Sequence, residues 1–219
     1  MNWKMLGIVA AVGSVGCMDI NILHGGVQGS GKSATEHRTV SKFSSIDAKG
    51  SFDVDVQVGP ATSVTITGDD NLLKFVETKV DGDTLVLSTT KNFSTKTEMK
   101  VKVTVPSLNE FDLHGAGDVK VTGLKQEKVG LHLYGAGDLS AEGTVRDLQV
   151  DLYGAGDIDL FGLKAENATA TLKGAGDMNV YATNKLDVKV MGAGDISYKG
   201  HPKSVVKSSS GVGEISSAD

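Results

Sequence analysis

Leu113-His114-Gly115-Ala116-Gly117-Asp118-Val119 returns as Leu133-Tyr134-Gly135-Ala136-Gly137-Asp138-Leu139, and its Gly-Ala-Gly-Asp centre recurs at Gly154, Gly174 and Gly192. A decayed sixth copy is Gly211-Val212-Gly213-Glu214, and the steps between copies are 20, 19, 20, 18 and 19 residues. A unit that short cannot close a core of its own. It must bury its apolar face against the next unit, so the chain must wind into a solenoid.

Alignment on the repeat assigns each column. Two residues before the first Gly stand Leu113, Leu133, Leu152, Leu172 and Val190; after the Asp stand Val119, Leu139, Ile158, Met178 and Ile196. These columns and the Ala column (Ala116, Ala136, Ala155, Ala175, Ala193) are apolar throughout and are expected to face inward. Upstream, Val129/Leu131, Leu148/Val150, Ala168/Ala170 and Leu186/Val188 alternate with polar residues, which gives each coil a second inward-facing strand. About three short strands and corners per coil predict an all-β fold, a single-stranded parallel β-helix with three sides and rungs ~4.8 Å apart. The glycines then serve a repeated bend, with Ala as the largest side chain that fits inside it. In the last coil Lys207 and Ser209 take inward positions and Val212 replaces Ala, the polar ending that a terminating solenoid needs.

Stacking places Asp118, Asp138, Asp157, Asp177 and Asp195 in one column of like charge, an unfavourable arrangement unless something offsets it. The simplest offset is an Asx-type turn in which each carboxylate accepts backbone N–H groups at its own corner. These five are also the candidate metal ligands, because calcium favours carboxylate oxygens, although calcium-binding nonapeptide repeats have half this period. Carboxylates ~5 Å apart would suit a retaining polysaccharide hydrolase. Five equivalent sites and coils without long loops argue against an enzyme, and no catalytic residues or cofactor are assigned. The five histidines show no metal-ligand spacing. Outward columns carry Tyr134 and Tyr153, and Phe161 and Tyr181, which are read as rung-stabilising stacks and as a candidate binding face.

The 219 residues include 28 Gly and 3 Pro, with a formal charge of −5. A mildly acidic chain argues against nucleic acid and against a polybasic membrane patch. Met1–Lys4 carries one positive charge, Met5–Gly16 is apolar and too short to span a bilayer comfortably, and Ser14-Val15-Gly16-Cys17 resembles a bacterial lipobox. The expectation is a lipoprotein signal peptide over 1–16 and a lipidated Cys17, the only cysteine, with Met18 matching outer-membrane sorting. Residues 17–38 read as a flexible linker. Within it Gly26–Ser33 matches G-x-x-x-x-G-K-S, but no parallel sheet with crossover helices follows, so no nucleotide is expected.

Residues 39–219 read as the solenoid domain, with irregular N-terminal strands over 39–110 and repeat coils over 111–219. Alternation at Phe52–Val58, Val64–Thr67, Thr84–Leu87 and Val101–Val105 predicts strands. Leu72, Leu73, Phe75 and Val76 have helical spacing behind Asp69 and Asp70, predicting one short helix over 71–78. Asp81-Gly82-Asp83 predicts a hairpin turn.

Phe43-Ser44-Ser45-Ile46-Asp47, Gly50-Ser51-Phe52-Asp53-Val54, Val64-Thr65-Ile66-Thr67-Gly68-Asp69, Asn71-Leu72-Leu73 and Val105-Pro106-Ser107-Leu108, followed by the G-x-G-D coils, together resemble the auto-transporter adhesin head GIN domain family. The resemblance spans about Thr39 to Ile215. It implies a right-handed β-solenoid on exported bacterial proteins, and it carries no site residues with it. The expected function is a lipid-anchored outer-membrane binding module without catalysis, whose partners are the membrane and a glycan or an envelope or surface protein. A purely structural envelope protein is the main alternative.

Overall fold

A computed structural model describes residues 26–219, so the expected signal peptide and Cys17 lie outside the described residues. Before the repeats come β1 (Val27–Gln28), β2 (Ser33–Arg38), β3 (Ser45–Gly50), β4 (Asp53–Val58), β5 (Ser63–Asp69), β6 (Val76–Asp81), β7 (Thr84–Thr89), β8 (Phe93–Ser94) and β9 (Lys100–Val105). The repeats supply β10 (Glu110–Gly115), β11 (Val119–Leu133), β12 (Leu139–Ala155), β13 (Ile158–Asp159), β14 (Leu163–Ala175), β15 (Met178–Val190), β16 (Ile196–Lys199), β17 (Ser204–Ser209) and β18 (Ile215–Ser217). They stack as a parallel β-solenoid of about 5 turns.

Each full coil has three sides. Val119–Val121 pairs in register with Leu139–Ala141, a bulge at Gly123 turns the chain, Leu124–Gln126 pairs with Gly143–Val145, and Lys128–Leu133 pairs with Asp147–Leu152. Inward positions of the long third side form continuous columns, Leu131 on Val150 on Ala170 on Val188, every member buried. The predicted columns running from Leu113 to Val190 and from Val119 to Ile196 are buried as well. Burial of each such Leu or Val contributes roughly 1.5–3 kcal/mol, so the core is a sum of near-identical small terms along one axis.

The Ala column departs from expectation: Ala116, Ala136, Ala155, Ala175 and Ala193 are all exposed. The corner turns its alanines outward because the two glycines beside each are the residues pressed against the preceding rung. A Cβ added to Gly137 would meet the carbonyl of Gly117, one on Gly156 that of Gly137, and one on Gly194 that of Gly176, each closer than 3.0 Å. Close approach along the stack, at every copy, is what demands glycine. The alanine N–H groups donate to the preceding rung, from Ala136 to the Gly115 carbonyl at 2.9 Å and from Ala155 to that of Gly135 at 2.9 Å.

The N-terminal part is less irregular than its sequence. The chain doubles back, so that β7 and β9 form a coil lying before β3 and β4, and Leu85, Ile46 and Phe111 stack in one column while Val101, Val54 and Val119 stack in another. Gly50-Ser51-Phe52-Asp53 is itself a corner beneath Gly115–Asp118, with buried Phe52 where later coils have glycine. Beyond this first coil the strands turn antiparallel: β5 on β9, β2 on β5, and β6 on β7 through the predicted Asp81-Gly82-Asp83 turn. Gly82 there has φ 59°, the left-handed conformation that such a turn requires.

Two expectations are corrected around Asp69. The helix over 71–78 is only a 3-10 turn at Leu73–Phe75 followed by a strand, because Val76 joins β6. Asp69 does not cap it. Its buried carboxylate accepts the backbone N–H groups of Gly31 (2.6 Å), Lys96 (2.9 Å) and Thr97 (3.1 Å). Residues 26–38, read as flexible linker, are therefore tied down, with β1 paired to β8, β2 paired to β5 and Ser30 bonded to Asp70 and Asn71. In the Gly-rich stretch that mimics a phosphate loop, the Gly31 N–H is spent on the protein's own Asp69 carboxylate and the Ser30 N–H on the Asn71 amide oxygen. Burial pushes the Asp69 pKa up, but the donors from Thr97, Lys96 and Gly31 outweigh it and hold the group below its ordinary value. At the other end Lys207, stacked on inward Val188, reaches across the opening to donate to the Ile215 carbonyl (3.0 Å) and lies over the Tyr198 ring.

Urea unfolding separates corner contact from corner composition: Gly156→Ala should cost more than about 2 kcal/mol, and Ala155→Ser on the exposed neighbour less than about 0.5 kcal/mol. Asp69 gives a pH signature. A carboxylate whose folded pKa is lowered contributes stability that is present above its unfolded value of about 4 and lost as pH falls through the folded value. Asp69→Asn should lower the melting temperature at pH 7 and flatten its decline on acidification below about pH 4.

Candidate functional site

The aspartate column is built as an axial ladder. The N–H of Asp138 donates to Asp118 Oδ1 (3.2 Å), Asp157 to Asp138 (3.1 Å), Asp177 to Asp157 (2.9 Å) and Asp195 to Asp177 (3.1 Å). It begins at Asp53, which accepts from Asp118 at 3.0 Å, and ends where Glu214 donates to Asp195 at 2.7 Å. The partner is thus the next coil, not the residue's own corner. A corner N–H that points along the stack meets no backbone carbonyl there, and the side chain below supplies the acceptor. Beside the ladder runs an open groove of about 470 Å³ whose walls include Asp55, Glu98, Lys100 and Lys120. Lys100 sits 3.0 Å from Glu98 and 3.8 Å from Asp55, and the Glu98 contact foremost raises its pKa. With one oxygen of each carboxylate spent on a neighbour's N–H, the ladder is corner structure.

The four candidate binding residues do not form one surface. Tyr134 and Tyr153 end the long third side, where His114 stacks on Tyr134 (ring centroids 4.6 Å apart, planes 5° from parallel) and Tyr134 on Tyr153 (5.3 Å, 12°). The Lys173 ammonium continues the row 5.9 Å from the Tyr153 ring. Phe161 and Tyr181 follow the short side beyond the corner, where Lys199, in register with Tyr181, lies 4.3 Å from the Phe161 ring.

Next to the tyrosine row is a polar cluster that sequence reading missed. Register aligns Asp47, Asp112, His132 and Asp151 across four rungs, and Glu110 stands two residues before Asp112 on the same face. His132 is 6% exposed, although its column faces outward. Its Nδ1 lies 2.9 Å from Asp151 Oδ2 and its Nε2 3.5 Å from Glu110 Oε1. Asp151 is itself buried and accepts the Gln149 amide at 3.1 Å. The Asp151 contact foremost holds the His132 pKa above its ordinary value against burial, with Asp112 and Glu110 adding to it. Burial, then the charge of Glu110, raises that of Asp112. Glu110, Asp112 and His132 each present one ligand atom, all within 4.8 Å of one another. The signal was available: the column two residues upstream of His114 and Tyr134 reads Asp112, His132, Asp151, but only as a column, because 20 residues separate its first two members.

The profile of the family described as "Putative auto-transporter adhesin, head GIN domain" matches residues 42–202. The chain belongs to this family. Among solved structures, a "putative adhesin" from Bacteroides fragilis is 29% identical to this head GIN domain protein, with 88% of this chain and 100% of the other covered and a TM-score of 0.74. A "putative lipid binding protein" from Parabacteroides distasonis is 21% identical over 88% and 99% of the two chains, with a TM-score of 0.56. A second P. distasonis protein, again a "putative adhesin", is 21% identical over the same shares with a TM-score of 0.50. These last two share the fold. No curated protein matches the chain.

In this head GIN domain the ladder's bond and its charge can be separated. Asp157→Asn keeps an acceptor oxygen and removes one of the stacked charges, so its stability should stay within about 0.5 kcal/mol of wild type or rise. Asp157→Ala leaves the Asp177 N–H without its acceptor and should cost about 1 kcal/mol. Thermal melts of the two variants at low and high salt make the comparison.

Proposed function

We propose that this protein is a cell-envelope adhesin-like module that binds a protein surface through the third side of the solenoid. The observation that carries the reading is the ring row His114–Tyr134–Tyr153, with Tyr134 38% and Tyr153 37% exposed on a flat sheet face. Both faces of Tyr134 are covered by its neighbours, so a partner meets ring edges and hydroxyls. Sugars commonly use an open aromatic face, which this row does not offer at its centre. A strip of tyrosine edges beside polar groups suits a protein contact, where tyrosine gives large area at little entropic cost. The description of the B. fragilis relative as an adhesin supports the same reading.

The module is carried on the outer membrane by a lipid on Cys17, a reading supported by the apolar stretch ending at Ser14-Val15-Gly16-Cys17. A single cysteine bearing more than one acyl chain gives stable anchoring. Binding rather than catalysis is supported by the short coils, which among the described residues wall open grooves. Among the described residues, no helix is long and apolar enough to cross a membrane.

Two measurements test the proposal. Mass spectrometry of the N-terminal peptide should find acylated Cys17 as first residue, and Cys17→Ser should release the protein from membranes; an unmodified Cys17 contradicts the anchor. Full chain immobilised in detergent should bind members of a panel of purified extracellular-matrix and envelope proteins. Tyr134→Ala with Tyr153→Ala should weaken that binding at least about tenfold, as expected when interface tyrosines are removed. Binding confined to a glycan array, or binding that the double variant retains, contradicts the assigned partner or face.

A further inference from the structure

We propose that Glu110, Asp112 and His132 form a divalent-metal site of the zinc class on the outward sheet face, with Asp151 as its positioning residue. The site is independent of the protein-binding reading of the tyrosine row. His132 is buried; its Nδ1 is held against Asp151 Oδ2 at 2.9 Å, which leaves Nε2 as the nitrogen turned toward Glu110. At 3.5 Å, Nε2 and Glu110 Oε1 are too far apart for a charge-assisted hydrogen bond of ~2.7–2.9 Å. They are close to the separation of about 3.4 Å between two atoms that each lie ~2.1 Å from a tetrahedral metal.

The surroundings supply what such a site needs beyond its ligands. Asp151 Oδ2, 2.9 Å from Nδ1 and braced by Gln149, fixes the imidazole with Nε2 toward Glu110, and a ligand atom of Asp112 lies within 4.8 Å of both residues. A carboxylate behind a metal-bound histidine is the usual second layer of a zinc site. Access is provided by Gly130, whose missing side chain opens a pit of about 260 Å³ lined also by Asn109, Glu110, Lys128, His132 and Gln149. A Cβ at position 130 would sit 3.0 Å from His132 Nε2 and crowd the coordinating nitrogen. Three protein ligands with an open side leave the fourth position to water. One nitrogen and carboxylate oxygens suit zinc or a neighbouring transition metal, whereas calcium asks for six to eight oxygens. The metal would offset the repulsion between Glu110 and Asp112, which stand two residues apart on one face of the same strand.

The test is calorimetric titration of Zn2+ into the full chain, purified in detergent without a polyhistidine tag and stripped with chelator. One equivalent should bind, and Asp112→Asn and His132→Gln should each weaken it at least about tenfold. Asp151→Asn should weaken it about tenfold by releasing Nδ1, while Asp157→Asn in the ladder should leave it unchanged. Wild-type melting temperature should rise with Zn2+, return with chelator and not respond to Ca2+, which stands even where a variant fails to fold. Co2+ in the site should show the intense visible absorption of a four-coordinate ion. No saturable Zn2+ binding, an affinity indifferent to Asp112→Asn and His132→Gln in folded variants, or a weak six-coordinate Co2+ spectrum overturns the proposal.

Discussion

Rungs of a parallel solenoid stand ~4.8 Å apart, and the repeat coils of this protein follow from what can and cannot be placed at that spacing. On the flat sides the spacing suits side chains, which pack in columns of Leu, Val, Ile and Ala. At the corner it brings backbone onto backbone, and the glycines of one rung lie where a Cβ would strike the carbonyls of the rung below. The same turn aims the Asp N–H along the stack toward a place without a carbonyl. The carboxylate of the preceding Asp fills it, so one residue type ends each corner and starts the next.

That dependence explains how a column of acidic groups is tolerated. Stacked like charges oppose one another, but each bond in the ladder joins a carboxylate to an N–H, a charge-assisted contact stronger than a neutral one. The groups lie at the exposed rim of an open groove, where water and Lys100 and Lys120 reduce the repulsion. Five corners therefore repeat Gly-Ala-Gly-Asp while the third side varies from coil to coil. On it the rows Glu110-Gly130-Gln149, Asp112-His132-Asp151 and His114-Tyr134-Tyr153 set acid, histidine and aromatic groups side by side. A scaffold whose cohesion resides in its buried columns and its corners can display such a surface on outward positions without disturbing its own fold.

Much of this was legible in the sequence because periodicity reports stacking directly. Leu113, Leu133 and Leu152 are where their column required, and Val119, Leu139 and Ile158 likewise. Errors arose where the deciding contact lies outside the local stretch. The alanines are exposed, and apolar type alone does not tell which corner residue meets the rung below. Asp69 resembled a helix cap, yet its donors come from Gly31, 38 residues earlier, and from Lys96 and Thr97. The glycine-rich approach to it resembled a tether for the same reason. His132 carried no local motif at all, since its neighbours Asp112 and Asp151 are separated by whole coils.

The exposed Asp corners are hydrogen-bonded from rung to rung through their side chains. Amide hydrogen exchange read residue by residue tests this bonding most directly. The N–H groups of Asp138, Asp157, Asp177 and Asp195 should exchange as slowly as those of the buried strand residues Leu139 and Ile158 that follow the first two, despite lying on exposed residues. Exchange at the rate of an unprotected amide at these four positions, with the flanking strands still protected, would contradict it.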